Sequence, residues 1–72
     1  MAYDYSKLIG RITEKFGTRR KFAAAIGLSV HSMSVKLNNK QGFSQPEIER
    51  AKSLLAIADN EIGEYFFTLK VQ

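Results

Sequence analysis

The chain has 72 residues, a net charge of +4, one histidine and no cysteine or tryptophan. That length supports a single domain, residues 1–72, with a thin core. The missing cysteines exclude disulfides, thiolate metal sites and a thiol nucleophile. With no paired carboxylates on an identifiable framework and no glycine-rich phosphate loop, neither an enzyme nor a metal or cofactor site is expected. No stretch resembles a signal peptide or is apolar enough to cross a bilayer. The expectation is a cytoplasmic binding protein with no cofactor, no membrane contact and no small-molecule substrate.

The charge is unevenly spread. Residues 1–42 hold Lys7, Arg11, Lys15, Arg19, Arg20, Lys21, Lys36 and Lys40 against Asp4 and Glu14, a balance of +6. Residues 43–72 hold Arg50, Lys52 and Lys70 against Glu47, Glu49, Asp59, Glu61 and Glu64, a balance of −2. Such asymmetry fits one face turned towards a polyanion.

In chain order, Tyr5, Leu8, Ile9, Ile12 and Phe16 recur at three- and four-residue spacing. They predict a first helix from near Asp4 or Ser6 to Phe16, stopped by Gly17. Lys7, Arg11 and Lys15 lie on another face, where phosphate contact and plain solvation are both open.

Thr18 to Asn38 is the stretch on which the rest is organised. A second helix is expected from about Arg19 to Ile26, burying Phe22, Ala23 and Ile26. A third is expected from about Val30 to Leu37 over Leu28, Met33 and Leu37. Thr18 and Ser29 are N-cap candidates, and Gly27 supplies the positive φ that reverses the chain. Ala23, four residues before Gly27, is small enough for the two helices to cross closely. Cap, alanine, glycine and cap at these offsets describe a helix-turn-helix with its core at 18–38.

Arg19, Arg20 and Lys21 open the second helix, where cations oppose the helix dipole. Three of them there suggest that an anion comes to them. Phosphate contacts are expected from Arg19, Arg20, Lys36, Asn38 and Lys40. Base readout is expected from Ser29, Val30, His31, Ser32 and Ser34 at the start of the third helix. Val30 and Val35 are apolar where a DNA reader is polar, and they have a second explanation as a protein contact.

Asn38 to Gly42 form a loop. Phe43, Ser44, Pro46, Glu47 and Ile48 spell a capping box with a hydrophobic staple and an early proline. A fourth helix runs through Ile48, Ala51, Leu54 and Leu55 and frays near Ala58; Asp59 is a cap candidate for a fifth, to about Phe66. The end is apolar and β-prone. Tyr65, Phe66, Phe67, Leu69 and Val71 exceed what one small core can hold. Phe66, Phe67 and Leu69, with Val30 and Val35, are therefore candidates for a partner or subunit contact.

Ala23, Gly27, Leu28–Ser29, Met33 and the run Lys36–Leu37–Asn38 resemble the phage repressor and Cro-type helix-turn-helix regulators. FSQPEIERA at 43–51 and EYFF at 64–67 resemble, in particular, the small Cro-like and modulator-of-repression proteins of temperate phages of Gram-positive bacteria. The resemblance spans nearly the whole chain. It implies an all-α, lambda-repressor-like bundle of about five short helices with a short extended C-terminal tail. It also implies a part in a lysis–lysogeny switch, through double-stranded operator DNA bound as a homodimer or through a partner phage repressor. Family repressors usually carry glutamine, arginine or asparagine at the start of the recognition helix; Val30, His31 and Ser32 stand there instead. Operator binding is the leading expectation, and an antirepressor or modulator that grips the repressor with its helix-turn-helix face is the alternative.

Overall fold

A computed structural model describes residues 2–70. Five helices follow in order: α1 (Ser6–Phe16), α2 (Arg19–Ile26), α3 (Val30–Leu37), α4 (Gln45–Leu55) and α5 (Ile62–Phe66), the last preceded by a 3₁₀ turn at Asp59–Glu61. The apolar stripe of α1 is buried where expected, with Leu8 and Ile12 fully enclosed and Ile9 and Phe16 packed at the edge of the core. Asp4, outside the helix, accepts hydrogen bonds from the Ser6 amide and hydroxyl. These bonds hold its carboxyl below the usual aspartate value.

Phe22, Ala23 and Ile26 of α2, Met33 and Leu37 of α3, Ala51 and Leu55 of α4, and Tyr65 and Phe66 of α5 close over α1 in one core. Phe43 joins α4 to this core through edge-on contacts with Tyr5 and Phe66. The capping box is complete: the Glu47 amide donates to Ser44 Oγ (3.3 Å) and the Ser44 amide donates to Glu47 Oε1 (2.8 Å).

Three expectations change here. Helix α4 stops at Leu55, earlier than Ala58, because Ala56 takes a left-handed conformation at φ 53°. Asp59 is not a cap; it begins the 3₁₀ turn, whose Ala58 amide donates to Glu61 Oε1, while the Asp59 carboxylate pairs with Lys52. Phe66 is only 2% exposed, so it belongs to the core and not to a partner contact. The tail is extended at residues 68–70, where Leu69 bridges antiparallel to Tyr3. Val71, also named among the surplus apolar residues, lies outside the described residues.

Candidate functional site

The helix-turn-helix is held by backbone and hydroxyl bonds that its sequence dictates. Gly27 sits at φ 87° and ψ 25°, and its amide donates to the Ala23 carbonyl at 3.0 Å. The Leu28 amide donates to the same carbonyl at 2.9 Å, closing the end of α2. Thr18 caps α2 by accepting from the Lys21 amide, and Ser29 caps α3 by accepting from the Ser32 amide at 3.0 Å. Ala23 is buried at the crossing, as a small residue must be for the helices to approach.

Helix α3 turns Met33, Lys36 and Leu37 inward. They stand at i, i+3 and i+4, which is one helix face. Lys36 therefore does not reach outward to a phosphate, contrary to its expected role. Its ammonium lies 3.0 Å from Glu47 Oε1, donates to the Gly42 carbonyl at 3.0 Å and sits over the Phe43 ring. A buried cation needs a counter-charge and acceptors, and the capping box of α4 supplies both. Burial pushes the Glu47 carboxyl up, but the Ser44 amide and the Lys36 ammonium outweigh it and leave it below the ordinary value.

With Lys36 withdrawn, the outward side of α3 bears no fixed charge. Ser29, Val30 and His31 are exposed, and Ser32, Ser34 and Val35 are half-buried. The Ser29 hydroxyl donates to the Ser32 hydroxyl at 3.0 Å, and the Asn38 amide donates to Ser34 Oγ at 3.4 Å. All three serines expected to read bases are thus engaged with their own helix and its C-cap. Val30, 48% exposed, is one of three large apolar side chains left in solvent among the described residues; Phe67 and Leu69 are the others.

Arg19, Arg20, Lys21 and Lys40 are exposed and form no ion pair among the described residues, and Asn38, two residues before Lys40, is exposed as well. Lys7 and Arg11 are committed elsewhere. Lys7 pairs with Glu64, whose hydrogen bond raises the lysine pKa. Arg11 donates to the Leu55 carbonyl (2.9 Å), the Ala56 carbonyl (3.2 Å) and Glu14. Sequence reasoning placed Asn39 in the loop after α3, as a turn residue whose amide could grip a phosphate backbone, and missed its structural role. It adopts φ 64°, accepts from the Tyr3 amide at 2.7 Å and donates to the Tyr3 carbonyl at 2.9 Å, tying the exit of α3 to the N-terminal segment. An asparagine in a loop is the one signal for such a left-handed, amide-bonding position. Among the described residues no cluster of His, Cys, Asp or Glu can hold a metal, and no helix is long and apolar enough to cross a membrane.

These features define a small all-helical protein in which α2 and α3 meet across a tight glycine turn and α3 is apolar and hydroxylic on its outer face. The chain belongs to the family described as "Protein of unknown function (DUF739)", whose model matches residues 1–69. Among solved structures it is similar to the modulator of repression (MOR) of the temperate bacteriophage TP901-1 from Lactococcus lactis. The identity is 47%, the match covers 100% of this chain and 97% of that one, and the TM-score is 0.82. No curated protein matches it.

Proposed function

We propose that this protein is a modulator of repression: it binds a phage repressor through the outward side of α3 and alters that repressor's hold on DNA. The observation that carries the reading is the uncharged α3 face, with Val30 exposed and the one cation of the helix buried against Glu47. A DNA reader gains discrimination from bidentate Arg, Asn or Gln contacts, each worth roughly 1–3 kcal/mol, and this face has none of those residue types before Asn38. An exposed valine among hydroxyls suits a protein partner better. Full-length similarity to a modulator of repression supports the same conclusion. The protein then has no catalytic step and works in the host bacterial cytoplasm, where its repressor is.

A second reading keeps one specific observation. Arg19, Arg20, Lys21 and Lys40 are exposed without ion-pair partners among the described residues. They suit phosphate contact, so the protein can add non-specific affinity for operator DNA once a repressor has brought it there. The test is co-elution. Mixed with the repressor encoded beside it, the protein should move into a joint peak on gel filtration and shift the repressor's operator footprint. Separate elution with an unchanged footprint would reject the repressor as partner. Tight, sequence-selective binding to the operator by the protein alone would restore the Cro-like reading.

A further inference from the structure

One cavity of the molecule is built mainly of aromatic rings. It lies between the N-terminal segment, the loop after α3 and the end of α5, and it encloses about 230 Å³. Buried Tyr5 and Phe66 form its floor, half-buried Tyr3 and Phe43 its walls, and exposed Gly42 and Phe67 its mouth. The rings follow one another without a break. Centroids stand 5.9 Å apart from Phe67 to Tyr3, 6.2 Å from Tyr3 to Tyr5, 5.5 Å from Tyr5 to Phe43 and 5.4 Å from Phe43 to Phe66. Rings set at such angles offer both edges and faces, the two surfaces against which a further ring packs. Phe67 is 52% exposed at the mouth, although a side chain of that size gains by burial.

Charge decides what enters. A cage of aromatic faces attracts an ammonium group, but the surroundings of this one oppose a cation. Glu47 is held by Lys36, whose ammonium already lies 5.8 Å from the centre of the Phe43 ring, and Asp4 is bonded to Ser6. Two further cations border the Tyr3 side. Lys40 follows Asn39, whose amide is bonded to Tyr3, and Lys70 donates its backbone amide to the Ala2 carbonyl. Both are exposed and form no ion pair among the described residues. A positive guest is therefore repelled, and a ring flanked by carboxylates is drawn in. An apolar cavity of about 150 Å³ takes up a benzene ring; at about 230 Å³ this one has room for the double ring of an indole. We propose that the cavity is a docking pocket for one tryptophan side chain carried on an acidic segment of a partner protein. It shares no residue with the outward side of α3, so it stands apart from the repressor reading.

The chain has no tryptophan of its own, so a tryptophan in a probe is the sole source of indole fluorescence. The probe is the capped pentapeptide Asp-Asp-Trp-Asp-Asp, excited where tyrosine does not absorb and titrated with the full chain. Its emission should move to the blue and saturate as the indole leaves water. The amide resonances that move in the protein should be those of Tyr3, Gly42, Phe43 and Phe67. The same peptide with lysine in place of aspartate should bind at least about tenfold more weakly. Phe67→Ala removes the ring at the mouth and leaves the core intact; it should weaken the acidic probe at least about fivefold with an unchanged helical circular-dichroism spectrum. Lys40→Glu should weaken it as well, and more at low salt than at high. Val30→Asp should bind the probe like the parent, which separates this claim from the repressor claim. Emission that stays unmoved at millimolar protein overturns the proposal. So does binding that ignores both the charge of the peptide and Phe67→Ala. A DNA duplex that moves the Gly42 and Phe67 resonances where the acidic peptide does not overturns it too, and gives the mouth to phosphate.

Discussion

Glu47 joins two jobs in one carboxylate: it accepts the Ser44 amide to start α4, and it neutralises Lys36 of α3 at 3.0 Å. Its folded pKa lies below the ordinary value of 4.5. A depressed carboxyl contributes stability that is present above its unfolded pKa and lost as pH falls through the folded one. Thermal melts should therefore show stability declining below about pH 4.5, with a shallower decline in Glu47→Gln. At neutral pH Glu47→Ala should cost roughly 3 kcal/mol by leaving the Lys36 ammonium buried without its counter-charge. The neighbouring aromatics at the C-terminal end separate in the same kind of measurement. Phe66→Ala should cost about 3–5 kcal/mol, enough to unfold much of a domain this small, whereas Phe67→Ala should change stability by less than about 1 kcal/mol. Equal losses would contradict the burial of one and exposure of the other. A run such as YFF announces that apolar area must be buried, but which ring turns inward depends on where α5 begins, and the 3₁₀ turn that sets this phase has no sequence marker of its own. Lys36 was misread. Sequence sends it outward to a phosphate although it stands three residues after the buried Met33, and only the fold brings Glu47 and Gly42 close enough to keep a cation on the inner face.

Helix ends decide how these elements meet. The ends written in local chemistry, Thr18, Gly27, Ser29 and the Ser44–Glu47 box, were readable because cap and partner lie within three or four residues. The ends satisfied from afar were not. Arg11 of α1 donates to the last carbonyls of α4, and Arg50 of α4 donates to the Ile26 carbonyl at the end of α2 (3.1 Å). Neither bond has a local signal in sequence, where Arg11 was left open between phosphate contact and solvation and Arg50 was given no role, yet each welds one helix to the terminus of another. Ala56 ends α4 at φ 53°, where a side chain is strained and glycine is not. Ala56→Gly should therefore stabilise the protein by roughly 1 kcal/mol, raising its melting temperature by about 4–8 °C. An unchanged or lowered midpoint would show that the left-handed turn carries no strain.

Across the whole molecule the cations divide into two sets. Lys7, Arg11, Lys36 and Lys52 are taken up by acidic partners and Arg50 by the Ile26 carbonyl, while Lys15, Arg19, Arg20, Lys21, Lys40 and Lys70 form no ion pair among the described residues. The charge asymmetry of the sequence thus survives in the fold as an exposed cationic group at the start of α2. Arg20→Ala should weaken retention on any duplex equally and flatten the salt dependence by about one unit of slope; identical binding at two salt concentrations would remove Arg20 from the phosphate contacts. The all-helical architecture was legible throughout. Function was less so, because a helix-turn-helix serves DNA and protein partners with the same backbone, and only the side chains of α3 distinguish them. Those side chains, and the full-length similarity to a modulator of repression, favour the partner that the motif alone ranked second. The most direct measurement is a calorimetric titration of the protein and its Val30→Asp variant into the cognate repressor. The parent should bind saturably and the variant should lose at least about tenfold in affinity, since a carboxylate cannot be buried there without a partner. Equal affinity in both, or no binding by either alongside sequence-selective binding of the protein to operator DNA, would contradict it.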